Sequence, residues 1–307
     1  MNDDSFPNHR CLGRTGLTVS TFGIGGGNGV SSEDVEWAVD QGINFLFYSS
    51  DLHHVLYARM SSAIRRFCKR GSHERQRIIL ACATYIMRPH LVLPTLFDLF
   101  AELGVDYIDL LMWGMVDSGD AASARTILNN ASSTRGTGTP LTDSIERLFG
   151  ASEELRRMGA VRFVGMSFHD PILAAEYAAS GQLDVVMIRT NLAHRRARDV
   201  VLKPLSKLSI TDRPGTVVFN ATRGANGPFW ARHSHGTLDP TTMGPSPAAC
   251  YRYVLSQPGV DVCLLGPRRR SDIESALSVL RQGRFSDEEL AELEHYGDIY
   301  RGRSVAT

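Results

Sequence analysis

The chain has 307 residues, of which 43% are hydrophobic and 21% charged, a balance that suits a soluble globular protein with a sizeable core. Thirty-three basic residues offset thirty-three acidic ones, so the overall field gives no reason to expect nucleic acid or an anionic membrane as partner. Local charge remains in Arg268-Arg269-Arg270, enough for one phosphate.

Five cysteines (Cys11, Cys68, Cys82, Cys250 and Cys263) are odd in number and never form a C-x-x-C pair. That argues against a disulfide framework and a zinc ribbon, and reads as buried thiols in a reducing compartment. The opening "MNDDSFPNHR" lacks the apolar core of a signal peptide, and no apolar run approaches the ~18 residues of a membrane span. The expected location is the cytoplasm.

In chain order, the first apolar run is "TFGIGG" (21–26). The helical pattern "SSEDVEWAVDQG" follows, opening on Ser, Asp and Glu and closing on Gly42. Next come the runs "INFLFYS" (43–49) and "RIILACAT" (77–84), the helix "LVLPTLFDLFAELG" closing on Gly104, and the run "YIDLLMWG" (107–114). Residues 116–140 are polar and rich in Gly, Ser and Thr, a loop signal, and "DSIERLFGASEELRRMG" then closes a helix on Gly159. "VRFVGMSF" (161–168) leads into "DPILAAEYAASG", with Asp170 as N-cap and Pro171 at the first helical position. "LDVVMIRTN" (183–191) and "GTVVFNA" (215–221) precede a second long loop, 222–247, rich in Gly and Pro and holding Phe229, Trp230, His233 and His235. The last run, "VDVCLLG" (260–266), is followed by "SDIESALSVLRQG" and "SDEELAELEHYG". Each has Ser with Glu three residues later, the capping-box pattern.

Eight short, nearly continuous apolar runs suit parallel strands covered on both faces. Eight β/α units in one domain spanning 1–307 is the arithmetic of an α/β (β/α)8 TIM barrel. A doubly wound open sheet fits less well, because "GIGGGNG" has no acidic residue at a second strand end ~20 residues later. Both long loops follow strands, the fourth and the seventh, and so belong at the C-terminal mouth of the barrel.

The stretch "CLGRTGLTVSTFGIGGG" resembles the N-terminus of the aldo-keto reductases, where a β-hairpin plugs the barrel bottom. The resemblance continues through "AVDQGINFLFYSS", "ELGVDYIDLLMW", "LRRMGAVRFVGMSFHD", "LDVVMIRTNL" and "VLSQPGVDVCLLGPRRRSDIESAL", nearly the whole chain in order. It implies carbonyl reduction with NADPH through Asp, Tyr, Lys and His. Here the Asp falls at Phe47 (Tyr48 if the register slips by one), the Tyr near Leu52 or His53, the Lys at Ala83 and the His at Gly114. All four roles read as lost, since alanine tunes no pKa and glycine has no side chain to donate. Of the residues that would hold the nicotinamide amide, Ser167 remains, while Phe168 replaces Asn and Met187 replaces Gln. The stacking aromatic falls at Thr190. After the last strand Arg268, Arg269 and Arg270 are basic, but the next positions read Asp272, Ser275 and Ala276. The chain is therefore read as needing no cofactor, with NADPH as the alternative and Ser167, Arg268, Arg269 and Arg270 as its contacts.

Replacement chemistry is sought at the strand ends. His53, with Asp51 to fix its tautomer, is the leading acid/base candidate, beside Tyr48, His54 and His169. Trp113, Phe168, Asn191, Asn220, Arg223 and Trp230 are the expected substrate contacts, and they favour a fairly apolar organic molecule. The bland readings are that His53-His54 cap a helix, that His169 only shapes a helix start, and that Tyr48 is core. Three functions stay open: a redox-neutral acid/base enzyme (lyase, dehydratase, isomerase or cyclase type), an atypical NADPH oxidoreductase with Tyr48, His53 or Tyr57 as acid, and a non-catalytic ligand-binding barrel. A metal on Asp51, His53 and His169, or on His233 and His235, has the ligand types but no strong spacing, and none is expected.

Overall fold

The computed structural model describes residues 5–49, 51–52, 54–116, 141–224, 227–230 and 244–301. His53, His233, His235 and most of the two predicted loops lie outside the described residues.

A hairpin of β1 (His9–Cys11) and β2 (Thr18–Ser20) precedes the barrel. The barrel strands are β3 (Phe22–Gly25), β4 (Phe45–Ser49), β5 (Ile79–Thr84), β6 (Ile108–Val116), β7 (Val161–Phe168), β8 (Val185–Arg189), β9 (Gly215–Phe219) and, after a two-residue bridge of β10 (Arg223–Gly224) with β11 (Gly227–Pro228), β12 (Val262–Leu265). They close in the order β12-β3-β4-β5-β6-β7-β8-β9, every pair parallel and β9 again beside β12. Each of the eight apolar runs forms one barrel strand, and the open-sheet alternative is excluded.

The surrounding helices include α1 (Ser32–Asp40), α2 (His54–Lys69), α3 (Pro89–Leu103), α4 (Leu141–Arg157), α5 (Pro171–Ala179), α6 (Pro247–Ser256), α7 (Arg270–Val279) and α8 (Asp287–Tyr300). Local signals explain their starts. The Ser31 side chain accepts from the N–H of Asp34, and Asp170 accepts from Ile172 and Leu173 just ahead of Pro171. At α8 Ser286 and Glu289 form the full capping box. The box expected at Ser271–Glu274 does not form: α7 starts two residues earlier, with Arg269 at the N-cap. Asp272 instead accepts from the backbone N–H of Arg268 at 2.9 Å, which satisfies the same end of the helix from inside its first turn.

The barrel interior is filled by large residues over small ones. A Cβ on Gly23 would stand 2.7 Å from the Phe45 ring, and one on Gly165 would stand 2.5 Å from Met112 Sδ. Glycine at these inward positions makes room for the neighbouring strand's side chain. The N-terminal ends of the strands are tied by buried charge pairs. Asp109 accepts from Arg75 (2.9 Å), Arg162 (2.7 Å) and the Leu80 N–H (2.9 Å), and Asp261 pairs with Arg213 through two bonds of 2.8 and 2.6 Å. The last helix is latched to the loop after β8. Arg195 bonds both oxygens of Asp298 at 2.8 Å, and Gly297 packs so tightly that a Cβ would stand 2.2 Å from the carbonyl oxygen of Leu192. Among the described residues, no helix is long and apolar enough to cross a membrane.

Candidate active site

Strand alternation sorts the mouth residues into two layers. On β4, Phe47 faces the barrel axis and Tyr48 faces the helices. The Tyr48 hydroxyl donates to Glu102 of α3, and His54 Nε2 reaches the same carboxylate oxygen at 3.0 Å. Burial, then Glu102, pushes the Tyr48 phenol far above its ordinary range. Tyr48 and His54 thus converge on Glu102, outside the barrel. On β6, Trp113 Nε1 donates to Ser152 of α4 at 2.9 Å, and on β7 Phe168 stacks on Tyr177 of α5 with ring centroids 5.9 Å apart. Both were expected at the mouth; alternation turns both into the layer between barrel and helices.

Inside, at the C-terminal ends of the strands, lies a cavity of about 220 Å³. Phe47, Tyr57, Tyr85 and Phe219 give it aromatic walls, Met187 and Leu264 extend them, and Asn28 and Asn220 add two amides. Among the described residues, no lining side chain is charged. Two tyrosines stand out. Tyr57, on the first turn of α2, is only 8% exposed, and its ring enters against the glycine run after β3. A Cβ on Gly26 would lie 2.7 Å from Tyr57 Cδ1 and one on Gly27 would lie 3.1 Å from its hydroxyl oxygen. The glycines of "GIGGGNG" therefore admit a tyrosine ring and the sulfur of Met60, 2.5 Å from the same Gly26 Cβ position. Tyr85 follows β5, and its ring fills the space that a side chain on Gly114 would need.

Among the described residues, neither the Tyr57 nor the Tyr85 hydroxyl has a hydrogen-bond partner. A buried tyrosine hydroxyl ordinarily finds one; Tyr57 is buried, Tyr85 is half-buried, and both residues line the cavity. Burial, with a smaller push from Asp51, raises the Tyr85 phenol to about 12, and burial, then Tyr85, raises Tyr57 further. Both hydroxyls are neutral donors at any physiological pH.

Asp51 sits at the rim as a bracket. Oδ1 accepts from Ser49 Oγ (2.9 Å) and the Leu52 N–H (2.6 Å), and Oδ2 from Thr84 Oγ1 (2.9 Å) and the Tyr85 N–H (2.8 Å). Four donors on one carboxylate tie the end of β4 to the end of β5 and hold the backbone of Tyr85. His169 packs edge-on to Phe219, centroids 5.4 Å apart, behind the cavity wall. Ser167 Oγ accepts from the Met115 N–H at 2.9 Å, pinning a bulge in β6 where Met115 adopts a left-handed φ of 56°.

The remaining candidates separate. Asn191 is fully buried and spent on structure. Its Nδ2 donates to the carbonyls of Asn220 (2.9 Å) and Arg223 (3.0 Å), and its Oδ1 accepts from the N–H groups of Ala193 (3.1 Å) and His194 (2.9 Å). Asn220, with a left-handed φ of 56°, does line the cavity. Arg223 and Trp230 lie exposed on the loop beyond it. Thr190 is buried and donates to the carbonyl of His194 at 3.2 Å; the aromatic residue at the cavity is Phe219. At the start of α7, Arg270 bonds Asp34 at 3.1 Å and lies over the Trp37 ring, which leaves Arg268 and Arg269 facing solvent. Among the described residues, no group of three His, Cys, Asp or Glu side chains is arranged around a metal position.

In the sequence Tyr85 reads as one of the polar residues at the strand ends, without a specific role, and Phe219 does not stand out. Phe219 carried a signal in its parity with Val217 along "GTVVFNA", which puts it on the same face. Tyr85 carried one in its place opposite Gly114.

No protein-family model matches the chain, and no curated protein does. Solved structures do. An aldo-keto reductase from Bacillus halodurans, in its holo form, is 19% identical with a TM-score of 0.66, over 94% of this chain and 96% of that one. A thermostable aldo-keto reductase in complex with the inhibitor epalrestat is 18% identical with a TM-score of 0.65, over 94% and 99%. The fold is that of the aldo-keto reductases. At this identity the likeness extends to the fold and not to the chemistry.

The cofactor of that fold family needs an amide-binding site and a charged cradle. Here Met187 stands at the cavity wall, Phe168 faces Tyr177, and the Ser167 oxygen already accepts from Met115. The three positions that the resemblance gives to the nicotinamide amide therefore hold a thioether, an outward-facing ring and a hydroxyl that already accepts one bond.

Proposed function

We propose that the mouth cavity is the active site of a redox-neutral enzyme acting on a fairly apolar small organic molecule. The chemistry is acid-assisted change beside an oxygen of the substrate, as in an isomerisation, dehydration, ring closure or C–C cleavage. Tyr57 and Tyr85 donate hydrogen bonds to that oxygen and stabilise the negative charge it develops. Asp51 positions Tyr85. The proton acceptor is sought at His53, because His54 bonds Glu102 outside the barrel and His169 packs behind Phe219. The single observation that carries this reading is Tyr57, 8% exposed, whose hydroxyl has no hydrogen-bond partner among the described residues, at a cavity with no charged lining residue among those described.

A second reading, NADPH-dependent carbonyl reduction with Tyr57 as acid, is favoured by the likeness to named reductases. One titration separates the two. NADPH is added to millimolar concentration while tryptophan fluorescence is followed, together with absorbance at 340 nm in the presence of aromatic aldehydes. The redox-neutral reading expects neither quenching nor loss of absorbance. Saturable quenching with consumption of NADPH, abolished in Tyr57→Phe, would overturn it.

A further inference from the structure

The lining of the cavity also limits what it holds, given the reading above that the cavity is the active site. We infer that its ligand is an uncharged molecule of single-ring size that offers one oxygen as hydrogen-bond acceptor to Tyr57 and Tyr85. Three observations carry this.

The first is electrostatic. Among the described residues, all of the lining is apolar, aromatic or amide. An ion entering it would leave water without meeting a counter-charge on the lining, a desolvation cost that an uncharged molecule avoids, and the rim carboxylate of Asp51 is already held by four donors. The second is the donor pair. Burial raises both phenols, so each presents O–H and neither presents phenolate. Such groups match a carbonyl or ether oxygen and offer no charge to an ammonium ion. The third is size. A volume of about 220 Å³ lies below the ~300 Å³ at which drug-sized ligands begin to fit, and Phe47 and Phe219 supply flat apolar surface.

The probes are acetophenone, benzoate and benzylamine, which share one ring and differ in charge. Each is titrated by ligand-observed NMR into the full chain and into Tyr57→Phe and Tyr85→Phe, with near-ultraviolet circular dichroism confirming that each variant is folded. Acetophenone should bind at least about tenfold more tightly than either ion, and loss of one hydroxyl should weaken it about fivefold. Equal or tighter binding of benzoate or benzylamine would overturn the inference. So would acetophenone binding that neither substitution changes, or no acetophenone binding up to its solubility. These outcomes are independent of the NADPH titration: nucleotide turnover removes the redox-neutral reading but leaves the preference for an uncharged ring, and benzoate binding does the reverse.

Discussion

The ring of Tyr85 lies over the backbone of Gly114, so close that a Cβ on Gly114 would stand 2.3 Å from Tyr85 Cδ1 and 2.4 Å from Cε1. A methyl group there has nowhere to go unless the ring moves. Gly114→Ala should cost about 1–3 kcal/mol of stability, read as a lowered urea midpoint. Tyr85→Ala in the same chain should restore part of that loss. Additivity of the two changes would show that the ring and the glycine are not coupled.

Alkaline stability follows from the same ring. Tyr85 has its phenol pushed up to about 12 in the folded chain, against an ordinary value of about 10. A raised folded pKa gives stability that is fully present below pH ~10 and is lost as pH rises through ~12, on the order of 2 kcal/mol for this one group. Urea unfolding between pH 9 and 12 should therefore show a steeper loss in the parent chain than in Tyr85→Phe. Parallel curves would remove the group from the account.

At the opposite end of the barrel, Asp109 is 2% exposed and receives Arg75, Arg162 and a backbone N–H. Asp109→Ala strands the buried guanidinium of Arg75 and should destabilise by about 3–5 kcal/mol. The cavity at the mouth is far from this pair, so the variant should still bind the uncharged probe when assayed below its melting temperature.

The two terminal helices offer a matched comparison. Ser286 accepts from the Glu289 N–H and Glu289 returns a bond to the Ser286 N–H, whereas Ser271 lies inside α7, which starts at Arg270. Ser286→Ala should cost about 1 kcal/mol and Ser271→Ala less than about 0.5. Thermal melts of the two variants check the difference, and equal losses would contradict the assigned caps.

The barrel was legible because each apolar run is bounded by turn and cap residues, and eight such runs admit few closed arrangements. The helix starts were readable where one side chain decides them, as at Ser31, Asp170 and Ser286. At Ser271 the same pattern misled, because Asp272 reached back to Arg268 and competed for the helix end. The site was harder to read. A position at a strand end can face the axis or the helices, and a shift of one residue exchanges Phe47 for Tyr48. Trp113 and Phe168 looked like ligand contacts for their ring size, yet their parity turned them outward. Tyr57 and Tyr85 are set by long-range fits, one against Gly26 and Gly27 and the other against Gly114; the first has no local pattern, and the second can be read only once β5 and β6 are paired in register. Asn191 looked like a binding residue because it is polar at a strand end; its four bonds to the chain itself can be seen only once the loops are in place.

The strand order carries a consequence for how the chain is made. β12 stands between β3 and β9, and its residues, Val262–Leu265, are synthesised after those of the other seven barrel strands. Until they emerge, β3 and β9 both present unpaired edges, and the cavity wall formed by Leu264 and Leu265 does not exist. A growing polypeptide leaving the ribosome therefore carries the first seven barrel strands as an unclosed sheet with a sticky rim until β12 emerges, the kind of species that holdase chaperones shelter. The latch of Arg195 on Asp298 forms later still, so any truncation that removes the final helix should be felt first as aggregation during expression.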